Sequence, residues 1–146
     1  MSASDIVDLS RSLREALEPL CDPVHPEDDR IRGVDHAIWC DTPSSSKADG
    51  RGAVFYGDKA IDRSPGGTGT SARLAQLYGK GRLKVGDTFR QESLIGTVFE
   101  GRIEAEVDIG PFKGIKPSVG GWARIIGHNT IFFDDRDPLA YGFQMR

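Results

Sequence analysis

A chain of 146 residues is long enough for one domain with a modest hydrophobic core. Its 38% hydrophobic and 28% charged residues are ordinary for a globular protein, and a formal net charge of −3 gives no electrostatic reason to bind nucleic acid or membrane surfaces. The sequence has no apolar run of membrane-spanning length and no signal peptide pattern, so it predicts a cytoplasmic protein. Cys21 and Cys40 have neither metal-site spacing nor a disulfide pattern, and both are expected to be reduced.

Residues 1–20 predict an N-terminal helix. Ser4 is the expected N-cap, and Asp5 favours the positive end of the helix dipole. The helix closes at Pro19. Its apolar stripe is expected to pack on the core, and it contains Ile6, Leu9, Leu13 and Leu17.

Residues 21–50 predict loops around one strand. The stretch from His25 to Asp29 reads as a solvated acidic loop rather than a metal site. Ile31 to Trp39 alternates as a strand does, which places His36 in the core. The polar segment 42–50 is expected to be mobile.

A glycine-rich turn between a strand and a helix organises the chain. The β-like runs Gly52–Tyr56 and Lys59–Ile61 precede it, and a helix from Ala72 to Tyr78 follows, with Thr70 or Ser71 as its N-cap. Backbone N–H groups at such a turn, with the helix dipole behind them, form a site for a carboxylate or a phosphate. The sequence fits neither of the common phosphate-loop patterns. Alternatively, the glycines only relieve strain in the turn.

The remainder of the chain is predicted to be β-rich. Short apolar runs separated by glycine extend over 89–99, 102–109, 113–115, 122–126 and 130–133. Together with one central helix they indicate the α+β class. Trp39 and Trp122 are expected in the core or at a domain interface, and Asp134–Pro138 in a charged turn.

The segment Asp62–Ala72 reads DRSPGGTGTSA, which resembles an active-site motif of the proline racemase family, including hydroxyproline epimerases and trans-3-hydroxyproline dehydratases. The resemblance is colinear from His25 to Gln144 and includes Gly96–Phe99, Lys116–Val119 and Gly121–Arg124. It implies one domain of the diaminopimelate-epimerase-like fold, in which strands wrap around a central helix. Leu74, Ala75 and Leu77 would then face the strands. The division implied is a helix over 1–20 and a C-terminal-half domain over 21–146, without the family's N-terminal catalytic domain.

The resemblance also implies residue roles in a cofactor-independent reaction on a free imino acid, proline or hydroxyproline. Asp62 would contact the substrate ammonium, and the backbone N–H groups of Gly67 and Thr68 would hold its carboxylate. The family removes and returns the Cα proton with two cysteines. Gly66 occupies the position of one of them, and this sequence has no Cys-Gly-His motif for the other. No catalytic residue is therefore intact, and no metal or cofactor is implied.

Three hypotheses follow from these departures. The chain is a truncated, inactive member of the family, which is the preferred interpretation. Alternatively, it is the C-terminal half of a split epimerase or dehydratase that works with a separate N-terminal half. Thirdly, it is a non-catalytic module that binds an imino acid. In each case an exposed domain interface would favour association with itself or with a partner half.

Overall fold

The computed structural model describes residues 2–142. Two helices and eight strands occur along this part of the chain: α1 (Ala3–Leu17), β1 (Val24–His25), β2 (Asp28–Arg32), β3 (Ala37–Asp41), β4 (Gly50–Tyr56), β5 (Ala60–Ile61), α2 (Gly67–Gly79), β6 (Thr88–Glu92), β7 (Val98–Ile109) and β8 (Phe112–Gly120). The expected α+β class is confirmed. No helix within residues 2–142 is long and apolar enough to cross a lipid bilayer.

Six strands form the main sheet, in the order β3-β4-β6-β7-β8, with β5 paired to the end of β4. All pairs are antiparallel except β4 with β6, which run parallel through Gly50 and Arg51. β1 and β2 form a separate two-stranded ribbon. Because β4 pairs with β6 at its start and with β5 at its end, the chain leaving β5 emerges beside the middle of the sheet.

The two helices contact opposite faces of the sheet, as the alternation of side chains along β4 requires. Ala53 and Phe55 point to α1 and form a core with Ile6. On the other face, α2 supplies two buried leucines to the second core, whose members are Leu74, Leu77, Phe89, Ile103 and Ile115. The prediction that Leu74 and Leu77 face the strands is confirmed. The same prediction for Ala75 is wrong, because Ala75 is exposed on the outer side of α2.

The N-terminal helix begins two residues earlier than expected. Its N-cap is Ser2, whose hydroxyl accepts the Asp5 N–H at 3.2 Å while the Asp5 carboxylate accepts the Ser2 N–H at 3.0 Å. Ser4 lies inside the helix, so its prediction as the cap is wrong. The predicted apolar stripe is only partly buried: Ile6 is 2% exposed, but Leu9 and Leu13 are 47% and 40% exposed. The buried face of the helix runs through Ile6 and Ser10 instead.

The predicted strand over residues 31–39 is two strands with a break. Gly33 has φ = +84°, a left-handed conformation that ends β2. β3 begins only at Ala37. His36 lies in the break and is exposed, with its ring stacked on Tyr56 at a centroid distance of 6.3 Å. The prediction of a core histidine is therefore wrong.

The last part of the described chain, residues 121–142, contains neither helix nor strand. The predicted strands over 122–126 and 130–133 are wrong, because no described strand supplies them with backbone partners. Their large apolar side chains are exposed by 65–96% and include Trp122, Ile125, Ile126, Ile131, Phe132 and Phe133. Residues 143 and 144, where the family resemblance ends, lie outside the described residues.

Candidate functional site

The candidate site is built on the loop between β5 and α2. The N–H of Asp62 donates to the Val54 carbonyl at 2.9 Å, which continues the β4–β5 pairing by one residue. Asp62 therefore lies opposite Val54, and its side chain is half-buried on the α2 side of the sheet. One carboxylate oxygen, Oδ1, accepts the N–H of Ser64 at 2.9 Å and its hydroxyl at 3.0 Å.

The helix α2 starts five residues before the predicted position, at Gly67, with Gly66 as its N-cap. The predicted caps Thr70 and Ser71 are wrong. The Thr70 N–H already bonds to the Gly66 carbonyl at 2.9 Å, and the Ser71 hydroxyl donates back to the Gly67 carbonyl at 2.9 Å. Within the described residues no side chain caps this end of the helix.

The uncapped end is open to solvent. The first N–H groups of a helix have no partner inside it, and they carry the positive end of its dipole. Gly67 and Thr68 supply two of these groups, and both residues are exposed. A side-chain carbon added at Gly67 would have no atom of the described chain within 4 Å, apart from the neighbouring backbone. The start of α2 can therefore accept a carboxylate or a similar anion.

Gly66 has a backbone conformation that other residues rarely adopt, with φ = +75° and ψ = +123°. It is buried. A Cβ atom here would lie 3.0 Å from Val54 Cγ2 and 3.7 Å from Asp62 Oδ2. Any side chain at position 66 would therefore strain the turn and press on Val54, and it would start beside the second oxygen of Asp62.

A second glycine explains how close the helix comes to the sheet. A Cβ atom on Gly69 would lie only 2.6 Å from Val54 Cγ2, a distance that real side chains do not tolerate. Glycine at this position lets the first turn of α2 lie directly on β4. The start of the helix is held close to Asp62 as a result.

Two hydroxyl residues in this region had no role in the sequence prediction. Ser64 bridges Asp62 and Gly66, whose N–H donates to the Ser64 hydroxyl at 3.1 Å. The Asp-x-Ser spacing is typical of such local turns and could have indicated it. Thr97, whose hydroxyl donates to the Arg63 carbonyl at 3.2 Å, is 34 residues away in sequence and gives no local signal.

The turn that carries Thr97 follows a buried carboxylate. Glu92 is 1% exposed and accepts hydrogen bonds from the N–H groups of Ser44 and Ser45 and from the Ser44 hydroxyl. The pKa of Glu92 is lowered, mainly by the hydrogen bond from the Ser44 hydroxyl. Burial raises this pKa, but the two N–H groups and the charge of Arg51 lower it further. These bonds anchor the loop 42–49 to β6, and an ion pair between Asp49 and Arg90 anchors its other end.

The two cysteines lie outside this loop. Cys21 lines a charged cavity of about 850 Å³ beside α1, and Cys40 lies in β3; both are free and exposed. Among residues 2–142, no three histidine, cysteine or acidic side chains are grouped so that they could hold a metal ion.

Comparison with known families shows which family has the Asp62–Ala72 motif. The family model described as proline racemase matches residues 1–144. This chain belongs to the proline racemase family. The match takes in the Asp62–Ala72 segment and continues through the exposed residues 121–142.

Two curated relatives that the chain resembles are named 4-hydroxyproline 2-epimerases. The chain is 75% identical over 146 residues to 4-hydroxyproline 2-epimerase 2 of Rhizobium rhizogenes, and the match covers 100% of this chain and 44% of that protein. It is 54% identical over 142 residues to 4-hydroxyproline 2-epimerase of Ancylobacter novellus, where the match covers 97% of this chain and 43% of the relative. The chain thus spans less than half the length of the relatives it matches.

Two solved structures of the proline racemase family resemble the fold. A hydroxyproline epimerase from Agrobacterium vitis with bound trans-4-hydroxy-L-proline superposes with a TM-score of 0.75 at 30% identity, over 92% of this chain and 38% of that one. A probable proline racemase from Agrobacterium radiobacter K84 with bound carbonate gives a TM-score of 0.74 at 34% identity, over 91% of this chain and 38% of that one. The family and the fold are therefore shown for this chain.

Proposed function

We propose that this chain binds a free imino acid of the trans-4-hydroxy-L-proline class and supplies one side of an epimerase-type site, without transferring the Cα proton itself. The observation that carries the proposal is the uncapped start of α2 lying beside the half-buried carboxylate of Asp62. An imino acid carries a carboxylate and an ammonium on the same carbon atom, Cα, and this pair of features matches both charges.

The carboxylate of the ligand would bind at Gly67 and Thr68. Their backbone N–H groups are the first of α2, and both residues are exposed. Because backbone donors are fixed by the helix, they need no reorganisation when the anion arrives.

The ammonium of the ligand would bind Asp62. Oδ1 is already engaged by Ser64, whereas Oδ2 faces position 66. A carboxylate and an ammonium form a charge-assisted hydrogen bond, which is about twice as strong as a neutral one. Asp62 therefore orients the ligand as well as attracting it.

Proton transfer would fail at Gly66. In the family pattern this position carries a thiol, and glycine can neither take a proton nor return it. The left-handed backbone and the 3.0 Å approach to Val54 show that the turn here fits glycine closely. The chain alone is then a recognition element whose site lacks a base.

A titration tests the binding. Isothermal titration with trans-4-hydroxy-L-proline should give saturable binding, and Asp62→Asn should weaken it about tenfold or more, because a hydrogen bond to a charged group contributes roughly 1.5–3 kcal/mol. Asp58→Asn is the matched control, since Asp58 lies in the turn between β4 and β5 and only its backbone carbonyl makes a described contact, with Arg11. Saturable binding that Asp62→Asn leaves unchanged would contradict the proposed site.

A second proposal concerns the partner: this chain associates with a separate polypeptide that carries the other side of the cleft. The observation that favours it is the exposed apolar set in residues 121–142, such as Ile126 at 96% and Phe132 at 88%. Soluble domains rarely expose so many large apolar side chains together unless a partner covers them.

Co-expression tests the partner. The chain would be produced with the part of the Rhizobium rhizogenes relative that it does not cover, and sedimentation velocity should show a one-to-one complex. Phe132→Ser should weaken the complex, whereas the control Leu20→Ser, at an exposed residue near α1, should not. Two separately sedimenting species would contradict a partner half, and a dimer of this chain alone would replace it with self-association.

A further inference from the structure

Two hydroxyl groups bond to the loop 62–66 without being part of the proposed ligand contacts: that of Ser64, inside the loop, and that of Thr97, outside it. We infer that Ser64 and Thr97 are positioning residues of the imino acid site, which fix the Asp62 carboxylate and the start of α2 in one arrangement. This inference rests on the proposed function, since it states what keeps that site in shape.

The first hydroxyl, of Ser64, has a defined direction of donation. It accepts the Gly66 N–H at 3.1 Å, and its own proton goes to Asp62 Oδ1 at 3.0 Å. The Ser64 N–H donates to the same oxygen at 2.9 Å. One carboxylate oxygen is thus held by two donors, and its orientation is coupled through a single hydroxyl to the N-cap of α2.

The second hydroxyl, of Thr97, also has one consistent direction. Ser93 Oγ accepts the Thr97 N–H at 3.1 Å and lies 2.7 Å from Thr97 Oγ1. Because Thr97 Oγ1 donates its one proton to the Arg63 carbonyl, Ser93 must donate in the pair between the two hydroxyls. Ser93 is fully buried and directly follows β6, so this chain of bonds fixes the loop to the buried turn between β6 and β7.

Some polar groups of the turn are used by hydrogen bonds within the protein, and the others are available to a ligand. The N–H of Gly66 is used by Ser64, which leaves those of Gly67 and Thr68 for the ligand carboxylate. Oδ1 of Asp62 is used by Ser64, which leaves Oδ2 beside position 66 for the ligand ammonium. Loss of the Ser64 hydroxyl should therefore disturb recognition of the ammonium more than that of the carboxylate.

Two ligands separate positioning from general support of the fold. One is trans-4-hydroxy-L-proline, and the other is (2S,4R)-4-hydroxytetrahydrofuran-2-carboxylate, which keeps the carboxylate and the 4-hydroxyl but has a ring oxygen instead of the ammonium. Ser64→Ala should weaken the first about fivefold and the second less than about twofold, because the net contribution of one hydrogen bond is roughly 1 kcal/mol. Ser64→Thr should restore the affinity, and in an Asp62→Asn background Ser64→Ala should have no further effect.

The matched control is Ser12→Ala, because the Ser12 hydroxyl bonds to the Asp8 carbonyl on α1 and has no other hydrogen bond within residues 2–142. It should change neither affinity. Equal weakening of both ligands by Ser64→Ala, or no weakening of either, would overturn the inference for Ser64. Absence of binding by the unmodified chain would overturn the proposed function instead. Amide hydrogen exchange without ligand would then still test whether Ser64 and Thr97 hold the loop.

Amide hydrogen exchange measures the same bonds without ligand. Ser64→Ala and Thr97→Val should each speed exchange of the Gly66 amide about tenfold, since local opening then requires fewer bonds to break. The Thr70 amide, which bonds to the Gly66 carbonyl inside α2, should keep its rate. An unchanged Gly66 rate in Thr97→Val would overturn the role of Thr97, and equal acceleration at both amides would show general loosening of the helix.

Discussion

The segment from Asp62 to Gly79 and the segment from residue 121 to 142 both belong to the family match, yet their surroundings differ. The first has its partners within the chain: α2 packs Leu74 and Leu77 against the sheet, and its first turn lies on Val54. The second is rich in large apolar residues that nothing in the described chain covers. The motif has its local structure within a chain that spans less than half the length of its relatives, because the packing that supports it is local.

The largest expected difference between the regions is in stability. Leu74→Ala removes a fully buried side chain from the α2 core and should lower the free energy of unfolding by about 2–5 kcal/mol. Ile126→Ala, at a residue 96% exposed, should change it by less than about 0.5 kcal/mol. Urea unfolding of the two variants gives both values. A similar loss for Ile126→Ala would show that residues 121–142 pack in solution.

The next expected difference lies between two glycines of one helix turn. Gly69→Ala places a carbon 2.6 Å from Val54 Cγ2 and should lower the free energy of unfolding by about 1–3 kcal/mol. Gly67→Ala has open space around it, so helix propensity should dominate and raise stability by up to about 1 kcal/mol. Thermal unfolding of both variants compares them. If Gly69→Ala were as stable as Gly67→Ala, the close approach of α2 to β4 would be wrong.

A smaller effect concerns two carboxylates, the buried Glu92 at the end of β6 and the exposed Asp134 in residues 121–142. The pKa of Glu92 is lowered from 4.5, so its contribution to stability is complete above that value and is lost as the pH falls through the lower, folded-state pKa. Glu92→Gln should therefore flatten the acid side of the stability profile. The pKa of Asp134 is also lowered, by Arg136, but this pair is exposed and screened by solvent. Asp134→Asn is thus the control. Denaturant unfolding between about pH 3 and 6 gives the profile of stability against pH for each variant. A profile that Glu92→Gln leaves unchanged would contradict the anchoring role of Glu92.

The packed region was largely predictable from sequence, and the errors have identifiable causes. The helix α2 follows from composition, and the burial of Leu74 and Leu77 follows from the family resemblance. The sequence predicts a hydroxyl cap at the start of the helix, whereas the chain uses Gly66. The position of Ala75 shows that one helix in contact with a sheet on one side leaves its other side exposed. The prediction that Leu9 and Leu13 pack on the core is wrong for a similar reason. The side of α1 that faces the sheet carries Ser10, whose hydroxyl accepts the Trp39 indole N–H at 2.6 Å.

The exposed region could not be predicted in the same way. The runs over 122–126 and 130–133 have the apolar composition of strands, but a strand also requires a neighbour to pair with, and composition does not say where that neighbour is. The long-range contact of Thr97 with Arg63 was missed for a related reason, since it depends on how β6 and β7 return to the loop. The positions of Asp62, Gly67 and Thr68 in the proposed site came from the family motif, and their roles remain predictions.

Proton NMR in D2O tests the central claim most directly. The folded chain would be incubated with trans-4-hydroxy-L-proline, with saturation transfer reporting binding and the Cα–H signal reporting proton exchange. The account predicts saturation transfer that Asp62→Asn reduces, together with a Cα–H signal as constant as in a sample without protein. Loss of the Cα–H signal in the unmodified chain would contradict the account, because it would mean that a base acts in this chain although position 66 is glycine.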